Sequence, residues 1–294
     1  MAKKVAFIGL GVMGYPMAGH LSRAGLEVVV YNRTKSRAAQ WLKEFKGNGA
    51  PSAIAAVSNA DFVFSCVGRD CDVLEVTMGN QGALSGMKAG AIFVDHTSAS
   101  ATLARELDKA CGERGLDFID APVSGGQQGA EKGALTVMCG GASETFERAK
   151  PLISHYARAV RLLGPVGSGQ LCKMVNQVCI AGLVQGLAEG IHFAESAGLD
   201  IEQVIEVISK GAAQSWQMEN RHKTMIAGQY DHGFAVDWMR KDLDIVLSEA
   251  RENGAQLPVT ALVDQFYAEV QSGGGGRWDT SSLLTRLHNK AKDS

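Results

Sequence analysis

The sequence has little of what marks several common classes of protein. Only 6 of its 294 residues are proline, which excludes a proline-rich linker protein. Its 29 basic and 31 acidic residues give a net charge of −2, and this balance gives no reason to expect a nucleic-acid or membrane-surface partner. The longest uncharged apolar run, residues 174–188, contains several amides. We therefore interpret it as a buried helix that is too short and too polar to span a bilayer.

The six cysteines include no C-x-x-C pair, and the seven histidines are dispersed along the chain. This spacing predicts neither a disulfide framework nor a metal site, and it favours a reducing compartment. The apolar run that ends at Gly9 is too short for a signal peptide and has the wrong flanking residues. We therefore expect a cytoplasmic protein that needs no metal ion.

Glycine, by contrast, is in excess: 35 of 294 residues, or about 12%, where about 7% is usual. At about 150 residues per domain, the length predicts two domains. Over residues 1–164, short apolar runs alternate with helical periodicity, which predicts a doubly wound parallel sheet with one late non-parallel strand near residues 134–139. Residues 165–294 show only helical patterns, with a flexible connection at residues 272–276. They predict an all-α domain opened by one long helix.

A glycine-rich loop follows the first predicted strand. It fits the G-x-G-x-x-G pattern, in which one glycine makes a tight turn, the second admits a pyrophosphate and the third lets helix and strand pack closely. The N-terminus of the next helix offers N–H groups and partial positive charge to the anion. This context predicts a Rossmann-type dinucleotide-binding domain; the alternative is a purely structural turn. The predicted cofactor-binding residues of this loop are Gly9, Leu10, Gly11, Val12, Met13 and Gly14.

The end of the second predicted strand indicates which dinucleotide is bound. NAD sites usually have an acidic residue there, which accepts hydrogen bonds from the ribose 2′-hydroxyl. Here Asn32 stands in its place and is followed by Arg33, Thr34 and Arg37, which are suited to a 2′-phosphate. We therefore expect a preference for NADP(H), with NAD(H) possible. The alternative is an exposed basic turn without a role in binding.

Two further segments carry residues suited to catalysis. The first is D-A-P-V-S-G-G, in which Ser124, Gly125 and Gly126 can form a turn that binds a substrate carboxylate, or can simply be a tight turn. The second opens the long helix, where Asn176 and Gln177 follow Lys173 at helical spacing. Burial lowers the pKa of a lysine and makes it a general acid or base, whereas the alternative is a partly exposed lysine whose ammonium reaches solvent.

Five motifs in order along the chain resemble the β-hydroxyacid dehydrogenases. They are G-L-G-V-M-G-x-P-M, D-A-P-V-S-G-G, G-A-L-T-V-M-C-G-G, G-x-G-x-x-x-K-x-x-N and M-R-K-D-L. This family includes 3-hydroxyisobutyrate dehydrogenase, tartronate semialdehyde reductase and the glyoxylate and succinic semialdehyde reductases. A more distant relative is 6-phosphogluconate dehydrogenase. The resemblance covers essentially the whole chain and is specific, because five motifs match in the same order.

The resemblance implies roles for individual residues. Lys173 matches the catalytic lysine, Ser124 to Gly126 match the loop that binds the substrate carboxylate, and Asn176 matches an amide that contacts the substrate. Further cofactor contacts are implied at Val67, Gly68, Ser98 and Lys241. There are departures: Gly68 replaces a proline, and the segment that contains Ser98 reads H-T-S. The basic turn after Asn32 resembles the NADP-using members of the family.

The function expected from these residues is hydride transfer between NADP(H) and a small β-hydroxy acid, semialdehyde or 2-oxo acid. Lys173 is the expected general acid and base, assisted by Ser124 and Asn176. One alternative is an NAD-dependent 3-hydroxyisobutyrate dehydrogenase. An alternative of another class is a dehydrogenase-like scaffold that binds cofactor without catalysis. The expected partners are a small carboxylate substrate and further copies of the chain, as a dimer or tetramer, with no nucleic acid and no membrane.

Overall fold

The computed structural model describes residues 3–290 of the chain. These residues form two compact units, one reaching to Lys173 and the other beginning at Met174. The domain boundary predicted between residues 164 and 165 precedes this division and stays a prediction. We describe each unit separately.

The first unit contains the nine strands of the described chain and seven helices. The strands are β1 (Lys4–Ile8), β2 (Glu27–Tyr31), β3 (Asn48–Gly49), β4 (Phe62–Ser65), β5 (Ile92–Asp95), β6 (Asp117–Asp120), β7 (Val123–Ser124), β8 (Leu135–Gly141) and β9 (Ala157–Leu162). The helices are α1 (Gly14–Arg23), α2 (Lys35–Glu44), α3 (Ala53–Val57), α4 (Asp70–Met78), α5 (Ala101–Gly112), α6 (Gly126–Glu131) and α7 (Ser143–Ile153). A short 3₁₀ turn covers Ala83–Ser85.

The strands form one sheet in the order β3-β2-β1-β4-β5-β6-β8-β7, and β9 pairs with β8. Strands β1 to β6 are mutually parallel, whereas β8 runs antiparallel to β6, as the sequence predicts for residues 134–139. The strand order changes direction at β1, which has β2 on one side and β4 on the other. In open α/β sheets, ligands bind at the carboxyl ends of the strands beside such a switch point.

Both faces of the sheet are covered. Phe7, Phe64 and Val94 contribute to one apolar cluster, while Ile8 and Phe93 contribute to the cluster on the opposite face. Neighbouring residues of one strand point to opposite faces, so a strand that is apolar throughout can be buried only between two layers of helices. The predicted doubly wound α/β domain is therefore confirmed.

The second unit is helical, and its described residues form no strand apart from one isolated bridge between Ala235 and Asp279. Helix α8 spans Ser168–Ser196, so it begins before the division between the units and its larger part belongs to the second unit. The other helices are α9 (Ile201–Ile208), α10 (Trp216–Ile226), α11 (Val236–Asn253), α12 (Pro258–Val270) and α13 (Leu283–Lys290), with short helical turns at Gln271–Gly275 and Thr280–Ser282. The predicted all-α region is confirmed, and α10 is a helix that periodicity did not reveal.

Two expectations for this region need correction. The run at residues 272–276 was expected to be a flexible connection, but the structure has a helical turn over Gln271–Gly275, and Gly275 is buried against Trp278. Helix α8 has 29 residues and contains an 18-residue window of mean hydropathy 1.3. By length and composition alone, it could cross a membrane. The uncharged run at residues 174–188 alone underestimates the length of the apolar helix, because α8 extends well beyond this run at both ends. Core helices of soluble proteins also pass this test.

Candidate active site

The glycine loop between β1 and α1 has the shape that a dinucleotide requires. Gly9 has a φ of 93°, and a Cβ there would collide with the carbonyl oxygen of Cys66. A Cβ on Gly14 would collide with the carbonyl oxygen of Gly9, so helix and loop approach too closely for any side chain. At Gly11, by contrast, a Cβ would meet nothing within 4 Å. The residues present therefore fit a pyrophosphate, which would approach the loop on the open side at Gly11.

Asn32 connects this loop to the end of β2. Its Oδ1 accepts a hydrogen bond from the backbone N–H of Leu10 at 2.8 Å, and its Nδ2 donates to the carbonyl oxygen of Thr34 at 3.0 Å. Residues 33–37 are exposed. Arg33 forms ion pairs with Asp72 at 3.2 Å and with Glu75 at 3.6 Å. A 2′-phosphate would therefore compete with these two carboxylates for the guanidinium.

The ends of β4 and β5 are joined by a buried hydrogen-bond network. Oδ1 of Asp95 accepts hydrogen bonds from the hydroxyls of Ser65 at 2.6 Å and Thr97 at 2.7 Å. The Thr97 hydroxyl oxygen accepts in turn from the backbone N–H of Val67 at 3.0 Å. Burial raises the pKa of Asp95 to about 6 despite these donors. The network sets the loops that carry Val67 and Ser98 side by side at the carboxyl edge of the sheet.

His96 is a neutral structural residue within the same edge. Its Nδ1 donates to the carbonyl oxygen of Ala121 at 2.6 Å, and its Nε2 then accepts from the Tyr156 hydroxyl at 2.8 Å, an assignment made from these partners. The ring stacks on Phe64 with centroids 5.8 Å apart. Burial lowers the pKa of His96 to about 4. The packing of the His96 ring beneath the loop that contains Ser98 therefore explains why this segment has the sequence H-T-S.

The loop predicted to hold the substrate carboxylate follows β6. Ser124 is half-buried and pairs with Thr136 of β8. Gly125 and Gly126 have φ values of 132° and 62°, which other residues rarely adopt. Successive backbone N–H groups in a tight turn can form anion-binding concavities. A Cβ on Gly126 would meet nothing within 4 Å, so the surface of this turn is open.

Asp120 holds the start of the helix that carries Lys173. Its Oδ1 accepts from the backbone N–H of Gly167 at 2.7 Å, and its Oδ2 accepts from the N–H of Gln170 at 2.9 Å. Burial raises the pKa of Asp120 to about 6, against the opposite effect of these donors. Sequence reasoning did not assign this residue a role. The sequence feature that could have revealed its role is an acidic residue at the end of an apolar strand, because a buried carboxylate requires hydrogen-bond donors.

Gln170 is a second residue that sequence reasoning missed. Its side chain is buried, its Nε2 donates to the carbonyl oxygen of Thr97 at 2.8 Å, and its Oε1 accepts from the N–H of Ala99 at 3.1 Å. It therefore holds the loop that contains Ser98 against the first turn of α8. Through Asp120 and Gln170, the first unit positions half-buried Lys173 relative to the ends of β5 and β6.

The second unit joins three predicted residues in a polar chain. Asn176 donates to Oε1 of Gln177 at 2.8 Å, and Gln177 donates to Oδ2 of Asp242 at 2.7 Å. Lys241 lies 2.8 Å from Oδ1 of Asp242. Buried Asp242, which the sequence did not single out, thus connects the amides of α8 with the lysine of the M-R-K-D-L motif.

Known proteins and family models match the chain over almost its whole length. The family described as the NAD binding domain of 6-phosphogluconate dehydrogenase matches residues 4–164, and the family described as NAD-binding of NADP-dependent 3-hydroxyisobutyrate dehydrogenase matches residues 167–287. An uncharacterized oxidoreductase of Shewanella frigidimarina is 64% identical, covering 97% of this chain and 98% of that protein. The 2-hydroxy-3-oxopropionate reductase of Escherichia coli is 34% identical, covering 97% of each chain.

A solved structure gives the same result. The 3-hydroxyisobutyrate dehydrogenase of Mycobacterium tuberculosis with L-serine superposes with a TM-score of 0.88 at 27% identity, covering 98% of this chain and 99% of that chain. The fold and these matches define an NAD(P)-dependent oxidoreductase that acts on CH–OH groups. The chain belongs to the 3-hydroxyisobutyrate dehydrogenase family, which confirms the resemblance read from its motifs.

Proposed function

We propose that this protein transfers a hydride between NADP(H) and a small β-hydroxy acid, semialdehyde or 2-oxo acid, with Lys173 as general acid and base. The observation that carries the proposal is the double hydrogen bond from the backbone of Gly167 and Gln170 to Asp120. Asp120 ends the strand that leads to Ser124, and the bonded N–H groups open the helix of Lys173. The two motifs suited to catalysis are thus fixed to one carboxylate.

In this proposal each residue has a separate task. The hydroxyl of Ser124 and the backbone of Gly125 and Gly126 bind the substrate carboxylate, which leaves its carbonyl or alcohol carbon to react. The nicotinamide, when bound, supplies or accepts the hydride. The ammonium of Lys173 stabilises the developing alkoxide and donates a proton to it during reduction, and the neutral amine accepts that proton during oxidation. The amide of Asn176, one helical turn after Lys173, orients the reacting oxygen.

The preference for NADP(H) over NAD(H) is also a proposal. Residues 33–37 supply three cations and two hydroxyls without an acidic residue, and all five are exposed. The description of the family that matches residues 167–287 names an NADP-dependent enzyme, which supports the same choice. The contacts of Arg33 with Asp72 and Glu75 act against it, because they lower the positive charge that a phosphate would meet.

Steady-state rates with NADPH and NADH test the substrate class and the cofactor together. Succinic semialdehyde, glyoxylate and methylmalonate semialdehyde should be reduced, and NADPH should give the higher kcat/KM. A large preference for NADH would instead support the NAD-dependent 3-hydroxyisobutyrate dehydrogenase that is the alternative. Cofactor binding without turnover of any acid in the panel would support a non-catalytic scaffold.

Replacement of Lys173 tests its chemical role. In Lys173→Ala we expect kcat to fall by about 10²–10⁴, because the proton donor is lost, while the dissociation constant for NADPH changes little. Exposed Lys210 provides a matched control, since Lys210→Ala removes a lysine from a surface turn and should leave kcat unchanged. A Lys173→Ala enzyme with near-normal kcat would show that another group transfers the proton.

We also propose that the protein is a cytoplasmic homo-oligomer whose partners include no nucleic acid and no membrane. One face of α8 supports self-association: Val175 is 62% exposed and Phe193 is 72% exposed. Between them, a Cβ at Gly182, Gly186 or Gly190 would meet nothing within 4 Å, so a second helix could approach closely. Light scattering should show a dimer or tetramer, and Phe193→Glu should shift it toward the monomer; a monomeric parent would overturn this point.

A further inference from the structure

Two histidines and a glutamate that are far apart in sequence lie together in the second unit. His192 and Glu195 are three residues apart near the end of α8, and His288 comes from α13. Nε2 of His288 lies 2.7 Å from Oε2 of Glu195, and Nδ1 of His192 lies 3.7 Å from the same oxygen. The three potential ligand atoms all lie within 4.8 Å of one another.

These separations are close to those of a metal site. Zinc binds imidazole nitrogen and carboxylate oxygen at about 2.0–2.2 Å, so two ligands of a tetrahedral zinc lie about 3.3–3.6 Å apart. The separations of 2.7 and 3.7 Å lie just below and just above this range, and the two histidine nitrogens are within 4.8 Å of each other. The side chains are 35%, 31% and 44% exposed for His192, Glu195 and His288, so an ion from solution can reach the cluster. A small rotation of the His192 side chain would bring its buried Nδ1 to the ion.

The hydrogen bonding of the cluster is incomplete in a way that suits a cation. Nδ1 of His192 is buried, and among the described residues it has no hydrogen-bond partner. A buried nitrogen without a partner is costly, and a coordinated metal would satisfy it through its lone pair. Oε2 of Glu195, 3.7 Å from this nitrogen, is an acceptor that also contacts His288. The cluster thus offers two imidazoles and one carboxylate, a set that favours zinc and similar transition metals over magnesium.

We propose that His192, Glu195 and His288 form a zinc-binding site that links the end of α8 to α13. Three protein ligands leave one position for water, and the ion would hold two helices of the second unit together. The site is independent of the proposed hydride transfer, because none of its residues has a role there. The dispersed spacing of the histidines did not predict it, since only the fold brings α8 and α13 into contact through these side chains.

Isothermal titration with ZnCl₂ tests the site directly. The full chain is used without an affinity tag, after removal of metals with EDTA and desalting, and the midpoint of thermal unfolding is measured with and without zinc. We expect one zinc per chain, a higher Tm with zinc, and no binding of MgCl₂ at the same concentration. No zinc binding, equal binding of magnesium, or one zinc per two chains would each overturn the proposal.

Substitutions at the three residues test whether they are the ones that bind zinc. His192→Ala, His288→Ala and Glu195→Gln should each weaken zinc binding at least tenfold and remove the increase in Tm. His155→Ala, which removes an exposed imidazole of the first unit, is the matched control and should bind zinc like the parent. Circular dichroism shows whether each variant is folded, and His192→Asn or His288→Asn replaces the corresponding alanine variant if that one is not. Unchanged zinc binding in the folded His192 and His288 variants would overturn the proposal.

Cobalt identifies the ligand atoms. Co²⁺ in place of zinc should give the visible absorption of a tetrahedral site without a thiolate charge-transfer band. A strong thiolate band would show that cysteines hold the metal and would contradict the site. This spectrum needs neither cofactor nor substrate, so its outcome does not depend on whether the proposed enzyme activity is correct.

Discussion

The carboxylate of Asp120 accepts a hydrogen bond from the backbone N–H of Gln170 at 2.9 Å, and the side chain of Gln170 bonds Thr97 and Ala99. Two residues thereby connect the ends of β5 and β6 with the first turn of α8. The bonds to Asp120 are charge-assisted and buried, which makes them stronger than ordinary backbone contacts. The position of Lys173 therefore depends on the charge of a residue that is not itself expected to touch the substrate.

Removal of that charge should lower both stability and turnover. In Asp120→Asn, one oxygen becomes an N–H donor that faces another donor, so we expect about 1–3 kcal/mol less free energy of unfolding. At a temperature well below the Tm of the variant, kcat should fall at least tenfold while the dissociation constant for NADPH stays within about twofold. Denaturant titration, cofactor fluorescence and initial rates provide the three measurements.

The control for this variant lies on the same strand. Asp117 is at the start of β6 and forms a half-exposed ion pair with Arg148 at 2.7 Å. Exposed pairs of this kind contribute about 0–1 kcal/mol, so Asp117→Asn should change stability little and kcat not at all. If Asp120→Asn lost stability but kept the parent kcat, Asp120 would be a structural residue only.

The glycine loop allows a sharp comparison between two glycines. Gly14→Ala places a methyl group against the carbonyl of Gly9, so we expect a loss of about 1–3 kcal/mol in unfolding free energy. Gly11→Ala meets no protein atom within 4 Å, and the residue lies outside the left-handed region. Its stability should therefore match the parent, while its dissociation constant for NADPH rises at least tenfold because the methyl group faces the pyrophosphate. Tight NADPH binding by Gly11→Ala would place the pyrophosphate elsewhere.

Cofactor preference should depend on the competition for Arg33. Arg33→Ala should raise the KM for NADPH about tenfold or more and leave the KM for NADH unchanged, because only NADPH carries the 2′-phosphate. Asp72→Asn removes a carboxylate that holds the guanidinium at 3.2 Å, so it should lower the KM for NADPH a few-fold. Initial rates with each cofactor measure both effects. An equal loss with NADH and NADPH in Arg33→Ala would contradict a phosphate site at this residue.

His96 should give a distinct dependence of stability on pH. Its pKa is about 4 in the folded chain and about 6.5 when unfolded, so the unfolded state binds more protons between these values. The stability that His96 contributes is present above pH 6.5 and is lost as the pH falls toward 4. His96→Gln should be less stable than the parent at pH 7, and the difference should shrink by about 2 kcal/mol at pH 5.

Denaturant titrations of both proteins at pH 5, 6 and 7 measure this change. The parent and His96→Gln must be compared at each pH, because Asp95 and Asp120 change the stability with pH in the direction opposite to His96. Burial raises the pKa of each to about 6, so their contribution falls as the pH rises between about 4 and 6. Both carboxylates are present in both proteins, so their contributions to the unfolding free energy cancel in the comparison. A pH-independent difference would mean that His96 is not held neutral.

Local patterns predicted much of the fold. Apolar runs predict strands at residues 5–8 and 27–31, and helical periodicity predicts a helix at residues 236–253. The bounds of β1, β2 and α11 agree with these predictions within one residue. The run at residues 117–123 predicts one strand where the structure has two, β6 and β7. Strand β3 was missed because a run of two residues is too short to show a period. Helix α10 was missed because it buries only Met218 and Met225, which gives a weak apolar stripe.

The sequence by itself determined the family, the dinucleotide loop and the candidate lysine, because these depend on residues that are close together in the chain and adopt one local conformation. Only the tertiary structure decided that Asp120 holds the lysine helix, that Asp242 joins Gln177 to Lys241, and that His192 meets His288. Asp120, Gln177 and His192 each contact a residue that is far away in sequence. The sheet order and helix packing that bring such residues together result from burial of the whole core, which no single segment encodes.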